Sequence, residues 1–470
     1  MVGSFYDKLA KAPQAFTFED LILLPGLAEI EPWQVRLETK FSVNLELKIP
    51  FAAAPMDTVS EWQVGVALAL KGGIAVIHRN MPREEQLEHV RRVKEHPPLK
   101  ITNVYLEANV SCQAAREYMR ELGLRTVPVV DRGGKFVGYA VYGLLENCKM
   151  VAEAVKPGKA YSVEEALKAR KAVLNGEVDV AAILDSKGLL IGTLTVADAL
   201  EDINPALDKS GRLVVGAAIS PFDVERIKML DGVADVLVVD VAHAHNRNVI
   251  ESLKKVSKEL TSDLVVGNIG SGEAAKDILA SIENVAGFRV GIASGSICKT
   301  GEVVGVAAPT LYAVALVRDA LEELGATNIP IIADGGIKGA GDAVKALAAG
   351  AWAVMCGRLF AGTDEAPAPL VRIGDKVYKP YRGMASRGAL EKRWAMDRYS
   401  RRAKKVEEGV EGLVEYRGSI YRVIDELVEA LKAALGYVGA KSIPELWRKA
   451  RFAKLSPRGV QEIRPHSIHI

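Results

Sequence analysis

Eight short apolar runs, each followed by a helical pattern, predict an α/β fold: a parallel barrel of eight strand–helix units, the (β/α)8 or TIM-barrel architecture. Three observations carry this. The runs are continuous rather than alternating, as strands covered on both faces require. Two of them precede Pro97-Pro98 and six follow, and eight units is the number that closes a βα barrel. The stretch between the two sets carries its own repeat and reads as an inserted module.

Taken in order, Pro50-Phe51-Ala52-Ala53-Ala54 is the first run, followed by Pro55-Met56-Asp57-Thr58-Val59 and a helical pattern through Leu70. The second, Gly73-Ile74-Ala75-Val76-Ile77, ends at His78-Arg79-Asn80-Met81 and leads into a charged helix from Arg83 to Lys94. The unit resumes at Leu213–Ala218 and recurs at Val236–Asp240, Leu264–Asn268, Phe288–Gly291, Pro330–Asp334 and Ala353–Gly357. The interruption predicts a helix over Ser111–Leu122 and a hairpin over Thr126–Tyr139 with a Gly-rich turn. A second copy follows, with a helix over Ser162–Ala172 and a hairpin over Val178–Thr193. A repeated helix-plus-hairpin unit is expected to pack against its own copy. The expected domains are 1–96 (strands 1–2), 97–205 (the insert) and 206–470 (strands 3–8, a mobile segment and a tail).

The 470 residues exceed one ordinary domain but suit a large barrel with a smaller module. A 49% hydrophobic content supplies the core, and 61 basic against 59 acidic residues give no global surface for nucleic acid or acidic membranes. Abundant Glu, Lys and Arg weakly suggest a thermophilic source. Cys112, Cys148, Cys298 and Cys356 lack CxxC spacing, which argues against a disulfide framework or zinc site and fits a reducing cytosol. With no signal-peptide pattern and no apolar run near the ~20 residues that span a bilayer, a soluble cytoplasmic protein is expected.

Chemistry in a βα barrel lies at the C-terminal ends of the strands. Those ends carry Met56-Asp57, His78-Arg79-Asn80, Asp240 with His243 and His245, Asn268, Cys298, Asp334-Gly335-Gly336 and Gly357-Arg358. Cys298 sits in the small-residue loop Gly291-Ile292-Ala293-Ser294-Gly295-Ser296-Ile297-Cys298-Lys299-Thr300. Its thiolate is a candidate nucleophile for electron-poor carbon; a reduced cysteine in a turn is the plainer alternative. The glycine-rich segments Asp334–Gly339 and Cys356-Gly357-Arg358 follow strands 7 and 8. Paired loops there commonly bind phosphate through backbone N–H groups and a helix N-terminus, although tight turns alone would use the same glycines.

Several motifs resemble the IMP dehydrogenase / GMP reductase family over almost the whole chain. They are Phe18–Gly26, Ala54-Pro55-Met56-Asp57-Thr58-Val59, Gly72–Asn80, the Cys298 loop, Ala333–Ile337 and Tyr381-Arg382-Gly383-Met384. The insert, placed between strands 2 and 3 as in that family, resembles a pair of cystathionine-β-synthase-type (CBS) modules. The resemblance implies NAD-dependent oxidation of inosine 5′-monophosphate (IMP) to xanthosine 5′-monophosphate (XMP) through a covalent cysteine thioimidate, a step in guanine nucleotide synthesis. It makes Cys298 the nucleophile, places Thr300 beside the attacking water, and gives Arg398-Tyr399 the activation of that water. Ser296, Asp334, Gly336, Gly357, Arg358, Tyr381, Gly383, Met384 and Glu408 would hold IMP, with Asp334 on the ribose. Asp240, Asn268, Arg289 and Gly291 match the nicotinamide side. Carbonyls of Ala293, Gly295 and Cys298, with Glu462 of a neighbouring subunit, would bind a monovalent cation, K+ in the family. Thr195 and Asp198 match a CBS ribose motif for an adenine or guanine nucleotide, and Val141-Tyr142-Gly143-Leu144 in the first copy lacks its acidic residue. A homotetramer is implied.

Two alternatives stay open: a GMP reductase using NADPH, and a purine sensor without catalysis. Asp397-Arg398-Tyr399 and the tail Ser456–His466 favour the dehydrogenase, as does Arg387 where reductases put a glutamate. Departures exist as well. Ala293-Ser294-Gly295-Ser296 stands for Gly-Pro-Gly-Ser at the cation loop, Ala385 for a glycine, Val241 for a threonine, and Arg358 for a serine at the phosphate, where it can donate two fixed hydrogen bonds.

Overall fold

The computed structural model describes residues 5–392, 394 and 408–465. It separates into two compact units, Lys94–Leu213 and the remainder of the chain.

The larger unit is a closed parallel barrel. Its strands are β1 (Phe51–Ala53), β2 (Ile74–Ile77), β3 (Gly216–Ile219), β4 (Val236–Val239), β5 (Asp263–Ile269), β6 (Val285–Val290), β7 (Ile331–Asp334) and β8 (Ala353–Cys356). β8 pairs with β1, and β2 with β3, so closure runs across the insertion point. All eight predicted runs are barrel strands. Their burial explains the continuous apolar pattern: every residue of β2, β3, β4 and β6 is buried.

Each of the first seven strands is followed by a helix that covers the barrel: α1 (Trp62–Leu70), α2 (Arg83–Glu95), α3 (Val224–Leu230), α4 (Arg247–Val256), α5 (Gly272–Ser281), α6 (Thr310–Glu323) and α7 (Ala340–Ala348). The longest, α8 (Ile420–Val438), follows β8 after a polar excursion and packs on α7 and α1. Side-chain caps start several of these helices; Ser271 Oγ accepts the Ala274 amide and Ser419 Oγ that of Tyr421. The hairpin Thr39–Ser42/Leu45–Leu47 closes the lower end. Asp263 at the start of β5 holds it through Ser42 Oγ at 2.5 Å and Asn44 Nδ2 at 2.8 Å.

The Lys94–Leu213 unit contains both predicted hairpins, Thr126–Val130/Phe136–Val141 and Val180–Leu184/Leu190–Thr195. Its repeat extends to turn chemistry. Asp131 Oδ1 accepts the Gly133 and Lys135 amides, and Asp185 Oδ1 accepts those of Lys187 and Leu189, at 2.8–2.9 Å. Each copy has its own apolar core. Near its ends, Lys94 Nζ reaches Asp208 at 2.8 Å and Leu207 bridges to Leu213.

One expectation is corrected here. Cys112 and Cys148 form a disulfide, and only Cys298 and Cys356 are free. The pairing is tertiary: Ser111 and Met150, outside any strand, form an isolated antiparallel bridge beside the two cysteines. Cysteine usage therefore gives no argument for a reducing compartment. The bond closes a 36-residue separation, for which chain entropy favours the folded state by about 3–4 kcal/mol. Cys112→Ala is expected to lower the denaturant midpoint of this unit, and reductant should do the same to the wild type but nothing further to the variant. Among the described residues, no helix is long and apolar enough to cross a membrane.

Candidate active site

The Cys298 loop leaves the end of β6 and is held at its base by the reciprocal Ile292–Ala308 backbone pairing. Its tip is zipped to the segment 408–410: the Lys299 amide donates to the Glu408 carbonyl at 2.7 Å, and the Val410 amide to the Ile297 carbonyl at 3.0 Å. That segment continues into the strand β10 (Glu411–Glu415), which pairs with β9 (Lys376–Arg382). The loop thus stands between the barrel mouth and a small sheet above it.

Cys298 is exposed, whereas Cys356 is buried and its thiol is pushed far up by desolvation. Only the first can serve as a nucleophile at neutral pH. Cys298 Sγ donates to Thr300 Oγ1 at 3.2 Å, and Thr300 Oγ1 donates to Glu408 Oε2 at 2.8 Å. Glu408 is only 5% exposed. A hydrogen-bonded path therefore runs from the thiol to a buried carboxylate. No local pattern announces it, since Thr300 and Glu408 are 108 residues apart.

Around the thiol lies one cavity at the C-terminal mouth of the barrel. Ser296, Thr300, Gly383, Met384 and Glu408 line its loop side. Asp334, Gly336, Gly357, Arg358 and Tyr381 line the side formed after β7 and β8. Tyr381 is 6% exposed, and burial pushes its phenol up to about 12, so it stays a neutral hydrogen-bond donor. Gly357 leaves room for both side chains there: a Cβ would lie 2.7 Å from the Tyr381 hydroxyl and 2.8 Å from Met56 Sδ, so one of them would have to shift.

Beneath the far wall runs a buried charge network. Asp334 Oδ2 accepts from Asn268 Nδ2 and Arg289 Nε, both at 2.8 Å, while Arg289 Nη1 reaches Asp240 Oδ1 at 2.8 Å. Arg79 Nη2 adds a bond to the Asp240 carbonyl at 3.0 Å. This network fixes the Asp334 carboxylate through its Oδ2. Asn268 Oδ1 is buried without a partner, an acceptor left for a ligand. Gly291, at φ +133°, lets β6 pass β7 closely; a Cβ would sit 2.1 Å from the Asp334 carbonyl oxygen.

A second pair braces the loop bearing Tyr381 and Met384. Asp57, after β1, receives Arg382 Nε at 3.0 Å and Nη2 at 2.5 Å, and Asn80 Nδ2 at 2.9 Å. Burial pushes the Asp57 carboxyl up, but Arg382, His78 and Asn80 together outweigh it and the net shift is downward. Asn80 also donates to the Ala389 carbonyl at 3.1 Å, so β2 helps hold the same segment.

Not every expected residue joins the cavity. Asn268, Arg289, Gly291, Ala293 and Gly295 line it, but Asp240 lies buried behind Arg289. Glu462 closes the exposed helix Pro457–Glu462 and does not line the cavity of its own chain. Thr195 and Asp198 belong to the 94–213 unit, where they cap each other: Thr195 Oγ1 donates to Asp198 Oδ2 at 2.7 Å, and the Asp198 amide returns to Thr195 Oγ1 at 3.3 Å. Arg398 and Tyr399 lie outside the described residues. Lys338, absent from the expected set, lines the cavity; its signal was its place inside the glycine-rich loop after β7.

An exposed thiol with a proton path, beside glycine loops and a fixed carboxylate, defines a βα-barrel enzyme site of the covalent-catalysis class. A family model described as IMP dehydrogenase / GMP reductase domain matches residues 15–466, and the chain belongs to that family. Inosine-5′-monophosphate dehydrogenase of Korarchaeum cryptofilum is 45% identical, covering 97% of each chain. That of Thermoplasma acidophilum is 39% identical over 99% of this chain and 97% of its own. Among solved structures, a Trypanosoma brucei GMP reductase in complex with guanosine 5′-monophosphate superposes with a TM-score of 0.76 at 31% identity, covering 98% of this chain and 100% of that one.

Proposed function

We propose that the protein oxidises IMP to XMP with NAD, in guanine nucleotide synthesis. The observation that carries this reading is the Cys298–Thr300–Glu408 chain opening onto a cavity with a phosphate-type loop pair. Asp334 Oδ1 faces a ribose hydroxyl, and Gly336, Gly357, Arg358, Ser296 and Tyr381 surround the 5′-phosphate. Gly383 and Met384 meet the purine, with Glu408 at its edge. Cys298 loses its proton toward Thr300 and Glu408 as sulfur bonds to C2 of the purine.

NAD, when bound, accepts the hydride that leaves C2. Asn268, Arg289 and Gly291 would hold it, and the unpartnered Asn268 Oδ1 fits a ligand that donates hydrogen bonds; Asp240 acts from behind, by fixing Arg289. The resulting thioimidate joins Cys298 to C2. Water adds to C2 and passes its proton to Arg398 and Tyr399, and the C–S bond breaks as the proton held on the Thr300–Glu408 path returns to sulfur, which releases XMP and the thiol. For a monovalent cation, the carbonyls of Ala293, Gly295 and Cys298 would hold the ion; the Gly295 carbonyl also accepts the Cys298 amide at 3.0 Å, which leaves it a second lone pair, and no step is drawn through the ion.

The deciding experiment is a paired assay: IMP with NAD against GMP with NADPH. NADH and XMP formation supports the proposal, while ammonia release from GMP alone would replace it with the reductase reading, which the similarity to solved GMP reductases keeps in view. Thr300→Val should slow both the burst of NADH and the later turnovers, by about 10²-fold or more, because the thiol gives up and regains its proton through Thr300. Rapid-mixing absorbance reads both phases. The 94–213 unit is proposed to bind a purine nucleotide at Thr195 and Asp198, and the chain to act as a cytoplasmic homotetramer.

A further inference from the structure

The N-terminal segment before the barrel is fastened onto the loop that follows β7. Lys345 Nζ, on α7 and 9% exposed, donates to the Phe18 carbonyl at 2.7 Å. The Phe18 ring lies against Gly336, where an added Cβ would meet its Cε2 at 3.3 Å. Thr17 and Asp20 close the turn through two bonds to Asp20 Oδ2, at 2.7 and 2.8 Å. Between them, Glu19 pairs with Lys338. The strap continues into Leu21–Leu23, which pairs with Phe452–Lys454. The backbone on either side of Glu19 is therefore held by bonds other than the pair that Glu19 makes.

Lys338 is the partner that reaches the cavity. Its amide is tied to Asp342 Oδ2 at 2.9 Å, its side chain is 54% exposed, and it lines the cavity together with Arg358. An ammonium on a flexible four-carbon stem can turn between two anions at small cost, and an exposed carboxylate holds it weakly. A phosphate dianion arriving between Gly336, Gly357 and Arg358 offers twice the charge of Glu19. We propose that Lys338 is a second cation for the 5′-phosphate of the substrate and that Glu19 competes for it, setting how tightly the nucleotide is held. The inference rests on the IMP-binding reading above.

The test uses Lys338→Gln, Glu19→Gln and the double variant of the full chain, assayed for turnover and for calorimetric binding of IMP and of inosine, which has no phosphate. Lys338→Gln should raise the KM for IMP about fivefold, the size of one partly exposed ion pair, with the effect falling on KM rather than kcat. Glu19→Gln should shift KM the opposite way, about threefold down, and the shift should shrink in the Lys338→Gln background. Inosine binding should stay the same in all three. A rise in KM for Glu19→Gln, or equal losses for IMP and inosine, would mean that the pair only supports the loop and would overturn the proposal. If wild type binds IMP without turning it over, the oxidation reading fails while the binding arm still decides this one.

Discussion

Replacing Cys298 with alanine is expected to abolish turnover, by about 10⁴-fold or more, while IMP still binds. Removing a nucleophile deletes a bond that every later step needs. The proposed phosphate, ribose and purine contacts come from other residues, and the loop's backbone bonds to 408–410 do not involve the thiol. NADH absorbance measures the first half and calorimetry with IMP the second. Residual turnover within tenfold of wild type would reject covalent catalysis at this cysteine, and loss of IMP affinity would show that the thiol shapes the loop. Cys356→Ala is the control: this buried thiol takes no part in the chemistry, so any effect should appear in stability alone.

Asp57→Ala should be the most damaging change outside the reacting groups. The Asp57 side chain is fully buried and Arg382 is 22% exposed, so the variant leaves a largely desolvated guanidinium without its carboxylate. Loss of one partner from such a pair costs about 2–4 kcal/mol, taken below the fully buried range because Arg382 meets some water. Arg382 lies between Tyr381 and Gly383, so a slackened loop should also raise the KM for IMP about tenfold or more. Thermal unfolding and steady-state kinetics check the two effects separately. The same pair predicts a pH response. Asp57 titrates below its ordinary value, so its contribution is complete above the unfolded carboxylate range and is lost as pH falls beneath about 4. Wild type should show this acid-side loss, and Asp57→Ala should show less of it.

Much of the site was legible in the chain. The cysteine loop after β6 and the glycine loops after β7 and β8 are local segments whose residue types already state their chemistry, and the structure gathers them around one cavity. Asp240 was harder to read. A strand-end aspartate looks the same in sequence whether it faces a ligand or a buried arginine, and here it faces Arg289 and Arg79.

The barrel itself followed from sequence because its signal is local: a strand covered on both faces must be apolar throughout, and eight such runs leave little other choice of fold. What tertiary structure alone decided are the partnerships between distant residues. Thr300 finds Glu408, Asp57 finds Arg382 across 325 residues, Glu19 meets Lys338, and Cys112 bonds to Cys148. Each depends on which strand ends and loops the closed barrel or the paired repeats bring together. Periodicity reports how one segment meets its surroundings, not which other segment supplies them.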